Sequence, residues 1–181
     1  KPDSAEARFT LGNTQYDSGH HAEAIASYQR ALVLKPDFAE AHNNLGNVLN
    51  DLKRHEEAMA SYQRALALKP DFAEAHFNLG NALDDLKRHE QAIASYRSAL
   101  ALMPAFAEAY NNLGSALNEL KRHEEAMACC RKALSIQPDL AEAHNNLGSS
   151  LNDLTRHEEA IASCRSALAL KPDFAEAHNN L

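Results

Sequence analysis

"AEAHNNLGN", Ala39 to Asn47, opens as a helix and then weakens itself with Asn, Asn and Gly. Inside a helix Gly costs about 1 kcal/mol relative to Ala, and Asn roughly 0.6 kcal/mol. The stretch is nevertheless repeated. "AEARFTLGN" starts at Ala5, "AEAHFNLGN" at Ala73, "AEAYNNLGS" at Ala107, "AEAHNNLG" at Ala141 and "AEAHNNL" at Ala175, each 34 residues after the one before. All six prolines, Pro2, Pro36, Pro70, Pro104, Pro138 and Pro172, keep the same beat. A fixed period of this length is the signature of a repeat array, in which each unit buries its apolar face against its neighbours.

The units are 5–38, 39–72, 73–106, 107–140 and 141–174, with a partial sixth at 175–181. In the unit 39–72, Pro36 and Asp37 stop the preceding helix. A first helix runs from near Phe38 to about Leu52, Lys53 and Arg54 turn the chain, and a second helix runs from about Glu56 to Lys69. Glu56 and Glu57 suit the positive end of that second helix. Gly19 stands at the turn of the first copy. Lys53, Lys87, Lys121 and Thr155 take its place later and are expected to accept a left-handed conformation at a local cost.

On a helical wheel, His42, Leu45, Gly46, Val48, Leu49 and Leu52 form one packing face, with Gly46 placed for close approach of the paired helix. Glu40, Asn43, Asn44, Asn47, Asn50 and Asp51 fill the opposite arc, where packing is not expected to require them. The second helix buries Ala58, Met59, Tyr62, Ala65, Leu66 and Leu68; the small residues at Ala58 and Ala65 allow a short interaxial distance.

Composition narrows the function. The chain has 181 residues and a net charge of −7 with acids and bases interspersed, so no basic stripe offers itself to nucleic acid. No apolar run reaches the roughly 20 residues of a membrane span. Cys129, Cys130 and Cys164 are an odd set without metal-type spacing, which points to a reducing, cytoplasmic setting. Cys130 and Cys164 stand in the column of Tyr28, Tyr62 and Tyr96, so buried thiols are expected there, about 10 Å apart and too far for a disulfide. The chain starts without Met, as if its true N-terminus were missing. "KPDS" reads as the tail of an earlier unit, and apolar ends that contact other molecules end to end are expected.

His42, His76 and His144 form one column, and His21, His55, His89, His123 and His157 another. Columns repeating at this interval do not converge on a metal, so they read as packed, neutral rings with depressed pKa values, and no metal or cofactor is expected. Asp51, Asp85, Glu119 and Asp153 are likewise a repeated stripe, not a unique catalytic constellation, so no catalytic residues and no enzyme are expected.

The Leu45–Gly46 pair, Ala58, Tyr62, Ala65 and Pro70, with their equivalents, resemble the tetratricopeptide repeat over essentially the whole chain. The resemblance implies an all-α, right-handed superhelical solenoid of antiparallel helix pairs, with first helices lining a concave face. "NNLGN" followed by "RHEEAMASYQRALALKPDFAEAH" further resembles the repeats of O-GlcNAc-transferase-type and SPINDLY-like proteins. There an asparagine ladder holds the backbone of extended peptides. That resemblance maps the ladder onto Asn44, Asn78, Asn112 and Asn146, with Asn180 in the partial copy and Thr10 breaking it in the first.

The expected function is therefore a protein–protein interaction module that binds an extended peptide segment in a polar, mildly acidic groove. Asn47 and Asn81 lie on the same arc. Glu40, Glu74, Glu108 and Glu142 flank the ladder on one side, and Asn43, Phe77, Asn111 and Asn145 on the other, with Phe77 marking an apolar spot. A carboxamide both donates and accepts, as the main chain does. Units stacked about 10 Å apart would set one Asn against every third residue of an extended chain rising about 3.3 Å per residue. Two alternatives remain at this point: the substrate-selecting half of a glycosyltransferase lacking its catalytic domain, and a self-assembling scaffold.

Overall fold

The structure, a computed structural model, describes residues 4–181, so Pro2 and most of "KPDS" lie outside the described residues. The described residues are all-α. Along the chain α1 (Ala5–Asp17) pairs with α2 (His21–Leu34) and α3 (Ala39–Asp51) with α4 (His55–Leu68), and α5 (Ala73–Asp85) is followed by α6 (His89–Leu102). Then come α7 (Ala107–Glu119) with α8 (His123–Ile136), α9 (Ala141–Asp153) with α10 (His157–Leu170), and the short α11 (Ala175–Asn179). The expected boundaries hold to within a residue.

Two compact units divide the chain, one ending at Arg88 and the other starting at His89. In the first, each helix of α1 to α5 packs on the next, and the first helices α1, α3 and α5 also touch one another in order. In the second, α6 to α11 pack in the same sequential way, and α7 meets α9. α2, α4, α8 and α10 are thus each held between the first helix of their own repeat and that of the next.

The turns behave as expected. Lys53, Lys87, Lys121 and Thr155 have φ of 61, 59, 61 and 59°, and Gly19 has φ 76°. In the second repeat the Arg54 amide reaches back to the Leu49 carbonyl at 2.9 Å and the Lys53 amide to Asn50 at 2.9 Å, which closes α3 with a left-handed cap. Arg54 then grips Glu57 with two bonds of 2.7 Å across the first turn of α4.

Packing within a pair is set by one contact. A Cβ built on Gly46 would lie 2.5 Å from the Tyr62 ring, and one on Gly12 2.6 Å from the Tyr28 ring. Only glycine lets a tyrosine sit flat against the facing backbone, which explains a residue that local propensity disfavours. Tyr28, Tyr62 and Tyr96 are fully buried, as are Ala58 and Ala65. Met59, Leu66 and Leu68 are only half-buried, and Leu52, placed on the packing face by the wheel, is exposed because it caps α3 beyond its last full turn.

Candidate functional site

The polar arc of the first helices is not a plain solvated face. Asn43, Asn111 and Asn145 were expected beside an open groove, yet they are only 5, 8 and 7% exposed. Each is covered by the first helix of the following repeat. Asn78 Nδ2 donates to Asn43 Oδ1 at 3.1 Å, Asn146 Nδ2 to Asn111 Oδ1 at 2.9 Å, and Asn180 Nδ2 to Asn145 Oδ1 at 3.0 Å. Asn43 and Asn111 in turn donate to their chain neighbours Asn44 and Asn112, at 3.2 and 3.1 Å. Packing does ask for these asparagines. A buried carboxamide must be bonded, and here two columns satisfy each other between repeats. Asn43, Asn111 and Asn145 therefore offer no open surface to a partner, which corrects their placement as groove-lining residues.

The ladder column itself is half-buried at Asn44, Asn78, Asn112 and Asn146. In the first unit it carries a second layer of bonds. Tyr28 donates to Asn13 Oδ1 at 2.8 Å, and Asn44 Nδ2 donates to the same oxygen at 2.9 Å. One repeat on, Tyr62 donates to Asn47 Oδ1 at 2.9 Å and Asn78 Nδ2 joins it at 3.0 Å. Burial pushes the Tyr28 hydroxyl up to about 12 and the Tyr62 hydroxyl higher still, so both remain donors at neutral pH.

Cysteines break this layer in step with its acceptor. Asn13, Asn47 and Asn81 stand in the three tyrosine-bearing repeats, whereas Ser115 and Ser149 stand in the repeats of Cys130 and Cys164. Phenol and carboxamide are kept together or lost together. Cys130 and Cys164 are fully buried free thiols, and burial raises Cys130 to about 12.

Part of what the bonded network leaves over in the first unit faces a cavity of about 250 Å³. Tyr16, Asn47, Asn50, Asp51, Tyr62 and Asn78 line it, together with Asn81, and every one of these side chains is polar. Among the described residues, the Nδ2 groups of Asn47 and Asn50 donate to nothing and Asn78 Oδ1 accepts nothing. Donors and an acceptor thus meet in one open recess. The lining role of Tyr16 was not foreseen. Its signal was a departure from column: Asn50, Asp84, Asn118 and Asn152 fill that position in later repeats.

The flanking glutamates divide. Glu40 and Glu142 lie 3.4 and 3.7 Å from Lys69 and Lys171 at the ends of α4 and α10. Glu74 and Glu108 have no ion partner among the described residues, and Met103 and Gln137 occupy the corresponding positions of their repeats. Phe77 is half-buried.

Both histidine columns are stapling residues. Nε2 of His42, His76, His144 and His178 lies 2.9 to 3.1 Å from the carbonyls of Pro36, Pro70, Pro138 and Pro172, tying each inter-repeat loop to the helix that follows. Nδ1 of His55, His123 and His157 lies 2.8, 3.3 and 2.9 Å from the Oδ1 of Asn50, Asn118 and Asn152, across the turn within a repeat. Most of these rings are partly buried, and burial pulls the pKa of His42 down. Among the described residues no group of His, Cys, Asp and Glu is arranged to hold a metal ion, and no helix is long and apolar enough to cross a membrane.

Comparison with known proteins agrees with this architecture. Family models described as "Tetratricopeptide repeat" match residues 9–71, 49–94, 107–140 and 141–174, and one described as "TPR repeat" matches 80–120. No curated protein matches the sequence. Among solved structures, the MamA protein is 24% identical with a TM-score of 0.84, covering 97% of this chain and 96% of its own. YrrB, described as a TPR protein with an unusual peptide-binding site, is 23% identical with a TM-score of 0.83, covering 99% and 92%. MamA from Desulfovibrio magneticus RS-1 is 21% identical with a TM-score of 0.86, covering 96% and 98%. The matched models are all tetratricopeptide repeats, a protein–protein interaction module. Period, left-handed turns, glycine–tyrosine packing and family models together place the chain in the tetratricopeptide repeat family.

Proposed function

We propose that the chain is one array of repeats whose polar first-helix face binds an extended segment of another protein through its main chain. The observation that carries this reading is the cavity at Asn47, Asn50 and Asn78, where amide donors and an acceptor left over from the internal network face one recess. A peptide backbone presents the complementary N–H and C=O groups along its length. The unpaired carboxylates of Glu74 and Glu108 favour a basic or hydroxyl-rich segment, in a salt-dependent way. YrrB, of the same fold, has a peptide-binding site. The free, buried thiols of Cys130 and Cys164 suit a reducing compartment such as the cytoplasm.

Backbone recognition has a direct test. A peptide selected by the immobilised chain from an array is resynthesised with alternate amides N-methylated, which removes main-chain donors and keeps every side chain. Losing two net hydrogen bonds predicts affinity lower by about ten-fold or more. Equal binding of the methylated peptide overturns the proposal.

A further inference from the structure

The cavity of the first unit holds one charge. The Tyr16 hydroxyl donates to Asp51 Oδ2 at 2.6 Å, which fixes the carboxylate of the second repeat from the first. Burial, with that carboxylate as the next cause, pushes the Tyr16 phenol up to about 12, so it stays a donor. At two other positions of the acid column an imidazole shares the carboxylate: His55 Nδ1 lies 3.5 Å from Asp85 Oδ2, and His123 Nδ1 3.4 Å from Asp153 Oδ2. Asp51 has no such neighbour. The histidine one repeat earlier, His21, packs its ring 5.8 Å from that of Tyr16, and its Nδ1 is buried without a partner. Tyr16 has displaced the arrangement seen at Asn50, His55 and Asp85, and the carboxylate it holds has no imidazole beside it.

The recess is thus rich in oxygen and carries no basic residue. Asp51 Oδ1 and Asn78 Oδ1 accept nothing among the described residues. An anion is repelled by Asp51, and a neutral apolar group would strip water from a carboxylate without replacing it. A cation satisfies both oxygens. We propose that the Tyr16–Asp51 cavity is a subsite for one cationic side chain, a lysine or arginine head group, of the bound segment. This rests on the main-chain reading above and adds to it a fixed position of side-chain selection in an otherwise tolerant face. The later repeats lack the subsite because they lack the tyrosine.

The test uses a randomised library of peptides about twelve residues long, enough to run past several stacked repeats. Peptides retained by the immobilised chain are sequenced. The subsite predicts Lys or Arg enriched about five-fold at a single register position, the upper range for one partly exposed ion pair. Asp51→Asn, which keeps an oxygen for Tyr16, should abolish the enrichment while retention persists. Asp85→Asn, the same charge change outside the cavity, should leave it intact. Retention without enrichment, or enrichment that survives Asp51→Asn, overturns the subsite and leaves main-chain binding standing. Failure to retain any peptide overturns main-chain binding. In that case N-acetyl-lysine amide is titrated while the side-chain amide resonances of Asn47 and Asn78 are followed. Shifts lost in Asp51→Asn uphold a cation site on its own, and absent shifts overturn it too.

Discussion

The Tyr62 hydroxyl donates to Asn47 Oδ1 across 2.9 Å, and its ring lies where any side chain at residue 46 would have to be. One tyrosine therefore ties the two helices of its repeat by shape and by a polar bond. Tyr62→Phe keeps the shape and removes the bond. Asn47 Oδ1 retains Asn78 as a donor, so no acceptor is orphaned, and the loss should be about 1 kcal/mol. A lower urea midpoint at unchanged slope is the expected readout. An unaltered midpoint would show that the bond adds nothing.

The same couple can be rebuilt where it is missing. Gly114 still faces Cys130, so the glycine half of the packing device survives in the fourth repeat. Cys130→Tyr alone buries a phenol opposite Ser115, which is shorter than the asparagine of earlier repeats. Ser115→Asn alone adds a carboxamide with no phenol to meet. Together they should be more stable than the sum of the single effects by about 1 kcal/mol, read in a double-mutant cycle. Simple additivity would count against the pairing.

Asn78 carries two bonds on one nitrogen, to Asn43 Oδ1 and to Asn47 Oδ1. Helix propensity alone would make Asn78→Ala stabilising by roughly 0.6 kcal/mol. The two lost bonds and the exposed need of buried Asn43 outweigh that, so a net destabilisation of about 1 kcal/mol or more is expected. A thermal midpoint at or above the parent would show that the asparagines are dispensable to the fold.

Thr155 holds φ 59° with a β-branched side chain, a conformation that costs such residues about 1 kcal/mol or more. Its side chain is exposed, so Thr155→Gly removes strain without removing packing. Stability should rise by roughly 0.5–1 kcal/mol, with a smaller gain for Lys53→Gly. A loss in both variants would contradict this account of the turn.

Burial holds the His42 imidazole below its usual pKa, against the bond it makes to Pro36. The unfolded chain then binds more protons than the folded one. The stability linked to His42 is complete above about pH 6.5 and falls as pH drops through the unfolded value towards the folded one. The melting temperature should decline from pH 7.5 to 5.5, with a shallower slope in His42→Gln. Equal slopes would show that other groups carry the effect.

Repeat length, helix pairing, the left-handed turn and the close approach at Gly46 were all legible in the sequence, because each depends on residues near in the chain or on a period that repeats them. The bonds of the polar arc were not. Asn43 meets Asn78 and Tyr16 meets Asp51, each pair 35 residues apart. A wheel drawn for one helix treats its outer arc as solvent, whereas the first helix of the next repeat covers part of it. Tertiary stacking decided which asparagines are buried, which carboxamide atoms stay open, and where a tyrosine of one repeat holds a carboxylate of the next. The period could show that asparagines recur at these positions. Only the neighbouring helix, by removing water from one column and leaving it on the next, separates those that hold the array together from those available to a partner.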